Sequence, residues 1–360
     1  QTKVRIFPAN PLTNFLEVTE YGKCILYNAM QYSSSIFCFF SLLVLCSSYT
    51  QTVFEGPNKE LCPLIHQYSP TTTTLHSTVD NEEGEFNIKD EFHRVIRCQR
   101  KTWDAALKNE NVAKNRYYFV LPYDDSRVVL NQTPGDPNSD YINANYVDGY
   151  NNTKAYIATQ APLPNTVNDF WKMVLQENVS QIVTLASIIE EGKVKMHKYW
   201  TDSSANFGGI DVTLQSQHNA SDYTVRTFLV ENKKTHKSQE VKQFHFTQWP
   251  DNDIPGMDSF IEFLKEIRSN SHTMAPTVVH CSAGIGRTGT FILADSVWQK
   301  ALNTKEVEFL QRLYNMRDQR YRLVETEGQY LFAHEAVAVL LRDSSTSKTS
   351  KNSNDVRNEN

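Results

Sequence analysis

A thiol and a guanidinium, Cys281 and Arg287, stand near the two ends of one short glycine-rich run, VVHCSAGIGRTGTF at residues 278–291. Gly284, Gly286 and Gly289 permit a tight path on which successive backbone N–H groups converge as an anion nest. A helix that starts straight after such a loop adds its own unpaired N–H groups and its dipole. Ser282, Ala283, Gly284, Ile285 and Gly286 would then surround one oxyanion group, and Arg287 supplies a planar fork matched to two of its oxygens. The same donors favour a thiolate at Cys281. A nucleotide-binding loop of the Walker type would carry Lys near its end and no thiol. A nucleophile set against an anion cradle points instead to phosphoryl transfer through a cysteinyl-phosphate. His280 is expected to order the base of the loop by a backbone hydrogen bond, and Thr288 to hydrogen-bond the thiolate. A lone His-Cys pair would signify nothing; the whole run, placed between a β-branched strand and an apolar helix, is far more specific.

A thiolate cannot protonate the leaving oxygen, and the later attack of water needs a base. Asp251 in WPDNDIPG (249–256) suits both duties. Trp249 and Pro250 precede the acidic stretch and Pro255 and Gly256 follow it, which is the makeup of a hinged flap.

These side chains need a scaffold. Strand-like runs lie at 127–130, 140–147, 155–159, 181–186, 194–200, 209–216, 223–231, 241–249 and 277–280. Helical spacing marks IKDEFHRVIRC (88–98), residues 168–178, 257–269 and 291–302, and two further helices within 304–341. The reading is a single α/β domain at 86–341, a central mixed sheet flanked by helices, with the chemical loop where a strand hands over to a helix. Residues 342–360, polar throughout, are expected to be a disordered tail.

Composition sets outer bounds. Of 360 residues, 40% are apolar and 21% charged, enough for a substantial core, and the net charge of -5 argues against nucleic acid as a partner. The six cysteines match no metal spacing and no disulfide framework. Residues 1–85 lack steady periodicity and include a polar linker at 69–85. Within them, 30–51 carry an apolar core, Ile36 to Cys46, of signal-peptide length and short of a bilayer span. Three readings of it stand open: a signal peptide starting at Met30, a signal anchor, or a stretch with no targeting role. Sequons at Asn131, Asn151, Asn178 and Asn219 permit export without requiring it.

The cysteine loop and WPD resemble the phosphotyrosine-specific, cysteine-based protein tyrosine phosphatases. So do KNRY (114–117), DYINANYVDGY (140–150), TQAPLPNTVNDFW (159–171), EEGKVKMHKYW (190–200) and MRDQRYRLVETEGQY (316–330), all in that family's order. The resemblance implies the family's twisted mixed-sheet fold and hydrolysis of protein phosphotyrosine without metal or organic cofactor. Cys281 would attack, Arg287 clamp the phosphoryl group, and Asp251 protonate the leaving phenol and then activate water. Tyr117 would stack on the phosphotyrosine ring, Glu190 hold Arg287, and Lys195 contact the flap. Trp249 would be the flap hinge, and Gln329 would belong to the loop that positions water. It further implies phosphotyrosine-containing proteins as partners, a monomer, and a cytoplasmic location, with secretion the alternative if residues 30–50 act as a signal peptide. Three departures stand out. Phe119 replaces the usual Asp or Asn that grips the substrate backbone, next to Tyr118 where a polar residue is common. Glu325 replaces a Gln and is expected to repel the phosphoenzyme and slow its hydrolysis. The flap reads NDIP in place of HGVP. The second reading is therefore a phosphotyrosine-binding or substrate-trapping module of weak turnover. A dual-specificity or lipid phosphatase comes third, since a shallow cleft would lack the KNRY tyrosine.

Overall fold

The computed structural model describes residues 16–18, 24–26, 88–93, 95, 101–250, 253–271 and 273–355. The apolar stretch at 30–51, the linker at 69–85 and Asp251 therefore lie outside the described residues. The chain divides into two compact units, Gln1–Pro63 and Leu64–Asn360, a boundary earlier than residue 86. In the first, β1 (Leu16–Val18) pairs antiparallel with β2 (Cys24–Leu26), a hairpin too short for periodicity to register.

The second unit holds a nine-stranded sheet. Its strands in chain order are β3 (Arg127–Val129), β4 (Tyr141–Val147), β5 (Tyr156–Thr159), β6 (Gln181–Thr184), β9 (Ser204–Phe207), β10 (Ile210–Asn219), β11 (Tyr223–Asn232), β12 (Lys237–Phe246) and β13 (Thr277–His280). Two short strands, β7 (Ile189–Glu190) and β8 (Lys193–Val194), form a separate hairpin. Across the sheet the order is β3-β4-β5-β13-β6-β12-β11-β10-β9. The pairs β5–β13, β13–β6 and β6–β12 are parallel, and the remaining pairs antiparallel. The mixed sheet expected from the sequence is thus a parallel centre with antiparallel wings.

Burial explains why TVVH sits at that centre. Val278 packs into the core on one face and Val279 into the core on the other, following the two-residue period of a strand. A strand covered on both faces must be apolar throughout, and parallel strands are covered that way. One face carries α3 (Val167–Gln176), with Phe170 and Trp171 against Tyr199 and Phe228. The other face carries α4 (Met257–Ser269) and α5 (Gly286–Thr304), where Phe260 and Phe263 meet Phe291. Against these lie α6 (Phe309–Gln319) and α7 (Glu327–Asp355). Two short helices, α1 (Asp104–Leu107) and α2 (Asn109–Val112), lead into the KNRY segment, and 88–93 is helical as expected. Among the described residues no helix is long and apolar enough to cross a membrane.

Three expectations change. VKMHKYW is not a strand beyond Val194. Met196, Tyr199 and Trp200 are all buried, so its apolar residues dip into the core from irregular backbone. Helix α5 begins at Gly286, five residues before the apolar run, which places Arg287 in its first turn. The last helix runs to Asp355, into the segment read as a disordered tail. That segment contains no Gly or Pro, so nothing in it breaks a helix already docked through Tyr330, Ala333 and Val337.

Candidate active site

The loop at 281–287 leaves the carboxyl end of β13, at the middle of the parallel strands, where open α/β sheets place their ligand crevices. Neighbouring strand ends hold it on both sides. Leu185 N–H donates to His280 O at 2.8 Å, and Ala161 N–H to Ser282 O at 3.0 Å. Gly284 has φ +72°, and a Cβ there would run into the Thr159 carbonyl. Gly289 meets the backbone at Val324 in the same way. Close approach fixes both glycines, and at Gly284 the left-handed backbone does so as well. No carbonyl among the described residues takes the N–H groups of residues 282–286, which suits them to an anion.

Cys281, Ser282, Ala283, Ile285, Gly286 and Arg287 line a cleft of about 190 Å³ together with Tyr117, Phe119, Lys195, Glu325 and Gln329. Cys281 is a free, buried thiol at its floor. Arg287 is 4% exposed and meets Glu190 through two parallel bonds, Nη1 to Oε1 and Nη2 to Oε2, both 2.7 Å. Its Nη1 also donates to Leu185 O at 2.9 Å. Glu190 is in turn fixed by the Ser187 N–H at 2.8 Å. The guanidinium plane is therefore set before any ligand arrives, and its Nε–Nη2 edge is the part whose spacing fits two phosphoryl oxygens.

His280 is fully buried, and burial pushes its pKa down to about 3, so the ring is neutral. Nδ1–H donates to Cys281 O at 3.1 Å, which leaves Nε2 to accept from Tyr199 Oη at 2.9 Å or Thr184 Oγ1 at 3.1 Å. The backbone bond expected of His280 is thus made. The bond expected of Thr288 is not: its Oγ1 is buried inside α5 and has no hydrogen-bond partner among the described residues.

Tyr117 forms one wall, its hydroxyl 3.0 Å from Ser282 Oγ, which itself donates to Lys195 O at 2.7 Å. Gln160 braces that wall by accepting from Arg116 N–H and donating to Lys114 O, both at 2.8 Å. Gln329 accepts from Glu325 N–H at 3.0 Å, and its amide lies over Gly286, 3.1 Å from where a Cβ would stand. The Glu325 carboxylate is 4.0 Å from Arg322 Nη2. Trp249 is buried against Phe260, and its indole N–H donates to Asp253 O at 2.9 Å, tying together the two ends of the segment that contains Asp251.

A model of the family described as Protein-tyrosine phosphatase matches residues 111–339. The chain belongs to the protein-tyrosine phosphatase family. It is 39% identical over 270 residues to receptor-type tyrosine-protein phosphatase F of Rattus norvegicus, covering 74% of this chain and 14% of that protein. It is 41% identical over 250 residues to the Danio rerio protein of that name, covering 69% and 13%. Receptor-type tyrosine-protein phosphatase eta of Gallus gallus is 43% identical over 250 residues, covering 68% and 18%. The chain thus spans less than a fifth of the length of these relatives.

Within this phosphatase domain, one group was not singled out from the sequence. Arg320 is completely buried beneath the loop, with Nε donating to Gly284 O at 2.7 Å and Nη2 to Ala283 O at 3.1 Å. Asn145 and Asn143 accept its remaining bonds at 2.8 and 3.0 Å. Burial lowers its pKa to about 10, still well above neutrality, so a positive charge stands under the thiol. By tying down the loop carbonyls it helps to turn the N–H groups toward the cleft. The sequence held one signal, an arginine beside Leu323 and Met316 at a helix end, but nothing local said where it pointed.

Proposed function

We propose that this domain hydrolyses protein phosphotyrosine to tyrosine and inorganic phosphate. The observation that carries the reading is the pre-set Arg287–Glu190 fork beside Cys281 on the floor of a cleft walled by Tyr117. In the first step Cys281 Sγ attacks phosphorus, the P–O bond to the phenol breaks, and Asp251 gives its proton to the leaving oxygen. The loop N–H groups and the Nε–Nη2 edge of Arg287 take the equatorial oxygens, where charge gathers in the transition state. In the second step water attacks phosphorus, its proton passes to Asp251, and the S–P bond breaks to release phosphate and the thiolate. Gln329 is assigned to water placement, Lys195 and Trp249 to the flap, and Tyr117 to the substrate ring. A cytoplasmic location fits a thiolate that oxidation would disable.

The second reading, a binding or trapping domain, draws on the position of Glu325 in the cleft wall. A carboxylate there adds repulsion to the cysteinyl-phosphate and, next to Gln329, misplaces the attacking water. Burst and steady-state phosphate release from a phosphotyrosyl peptide separate the two. Wild type is expected to exceed Cys281→Ser in both phases, and Glu325→Gln to raise the steady state relative to the burst. Release no greater than that of Cys281→Ser would overturn the enzymatic reading. A full burst with a stalled steady state, restored by Glu325→Gln, would establish the trapping one.

A further inference from the structure

The cleft floor is polar, but one side of its mouth is built of exposed aromatic rings. Tyr118 is 87% exposed and Phe119, which lines the cleft, is 48% exposed. Their rings meet edge to face with centroids 5.2 Å apart, and Phe119 lies 5.8 Å from the Tyr117 ring. The three rings form a continuous shelf that leads from the substrate wall out into solvent. Large apolar side chains left in water cost free energy unless something covers them, and a grouped set beside a cleft marks a contact surface. The shelf carries no formal charge of its own. Among the charged groups of the cleft lining, Lys195 and Arg287 are cations, Arg287 is held by Glu190, and Glu325 adds a carboxylate 4.0 Å from Arg322.

We propose that Tyr118 and Phe119 set the substrate specificity of this domain by selecting phosphotyrosine flanked by apolar side chains over phosphotyrosine flanked by acidic ones. The inference rests on the phosphotyrosine reading above. With no carboxylate at residue 119 to hold the peptide backbone, grip on the peptide comes from burying apolar surface on the rings, and such burial is non-directional. Backbone register is then loosely fixed and side-chain hydrophobicity decides affinity. An acidic flank covers less apolar surface and meets the Glu325 field.

Two phosphotyrosyl peptides that differ only in Leu or Asp on either side of the phosphotyrosine test this. The expected ratio of kcat/KM, Leu over Asp, is about fivefold or more, the effect of one partly buried apolar side chain. In Tyr118→Arg with Phe119→Asp the ratio is expected to fall to about one or to invert, and in Tyr118→Arg alone to fall part-way. Met274→Asp, which removes an exposed apolar residue outside the cleft lining, is expected to keep it. A wild-type ratio near one or below, or a ratio that survives the double substitution, overturns the inference. Hydrolysis of p-nitrophenyl phosphate by the wild type reports on the enzymatic reading separately. If that activity is absent, the dissociation constants of the same two peptides on the Cys281→Ser protein give the ratio, with the same expected and overturning values.

Discussion

The floor and the mouth of one cleft are built by opposite rules. On the floor, Arg287 has three bonds from Glu190 and Leu185, His280 is held from both ring nitrogens, and Arg320 fills the space under the loop. At the mouth, Phe119 meets only the rings of Tyr117 and Tyr118 among the described aromatic residues, and Tyr118 stands almost wholly in solvent. Change on the floor leaves a buried charge or donor without its partner, while change at the mouth leaves nothing behind. A domain arranged this way keeps its chemistry fixed and lets its substrate preference drift.

The contrast breaks most severely at Glu190. Glu190→Ala strands the Arg287 guanidinium in a buried site, and a loss of about 3–5 kcal/mol of stability is expected from removing one partner of such a pair. Urea denaturation measures it, and Glu190→Gln, which keeps the shape and one acceptor, should recover part of the loss. An unchanged midpoint for Glu190→Ala would mean that the floor is not held through this pair.

A milder effect comes from the buried histidines. Burial pushes His280 and His334 down to about 3 and His245 to about 4, from an ordinary 6.5. Each binds a proton more weakly folded than unfolded. The unfolded chain therefore gains protons first as pH falls below about 6.5, and stability declines from there toward pH 4 to 3. His334 stacks on Phe309 with centroids 3.5 Å apart, and its Nε2 has no hydrogen-bond partner among the described residues. His334→Phe should flatten the acid side of the stability curve without losing a bond, as thermal melts between pH 7 and 4.5 would show. An unaltered slope would remove His334 from the account.

The smallest effect is expected at the mouth. Tyr118→Ala should leave stability within about 0.5 kcal/mol of wild type, because the side chain is almost wholly in water. A larger loss would show that the shelf is packed as tightly as the floor.

Legibility followed sequence separation. The nucleophile, the nest and the fork lie within seven residues, Cys281 to Arg287, so residue type and spacing were enough to name their chemistry. The strand before them was also readable as a short apolar run buried on both faces, and the helices at 168–178 and 257–269 because each buries one periodic face. VKMHKYW misled because apolar residues report burial and not hydrogen bonding: Met196, Tyr199 and Trp200 are buried outside any strand. Glu190 came forward only through the family resemblance, because its partner is 97 residues away. Arg320 did not come forward at all.

By itself, then, the sequence determined the reagent: a cysteine, an anion nest and an arginine that local backbone geometry brings together. Only the tertiary structure decided what holds that reagent in place and what surrounds it. The strand order puts β13 between β5 and β6, so loops distant in sequence converge on the carboxyl end of one strand. That convergence sets Arg320 under the thiol, Glu190 behind the fork, Glu325 in the wall and two bare aromatic rings at the entrance. Local rules cannot foretell such contacts, because they depend on which strands pair, and pairing is settled by the burial of the whole sheet.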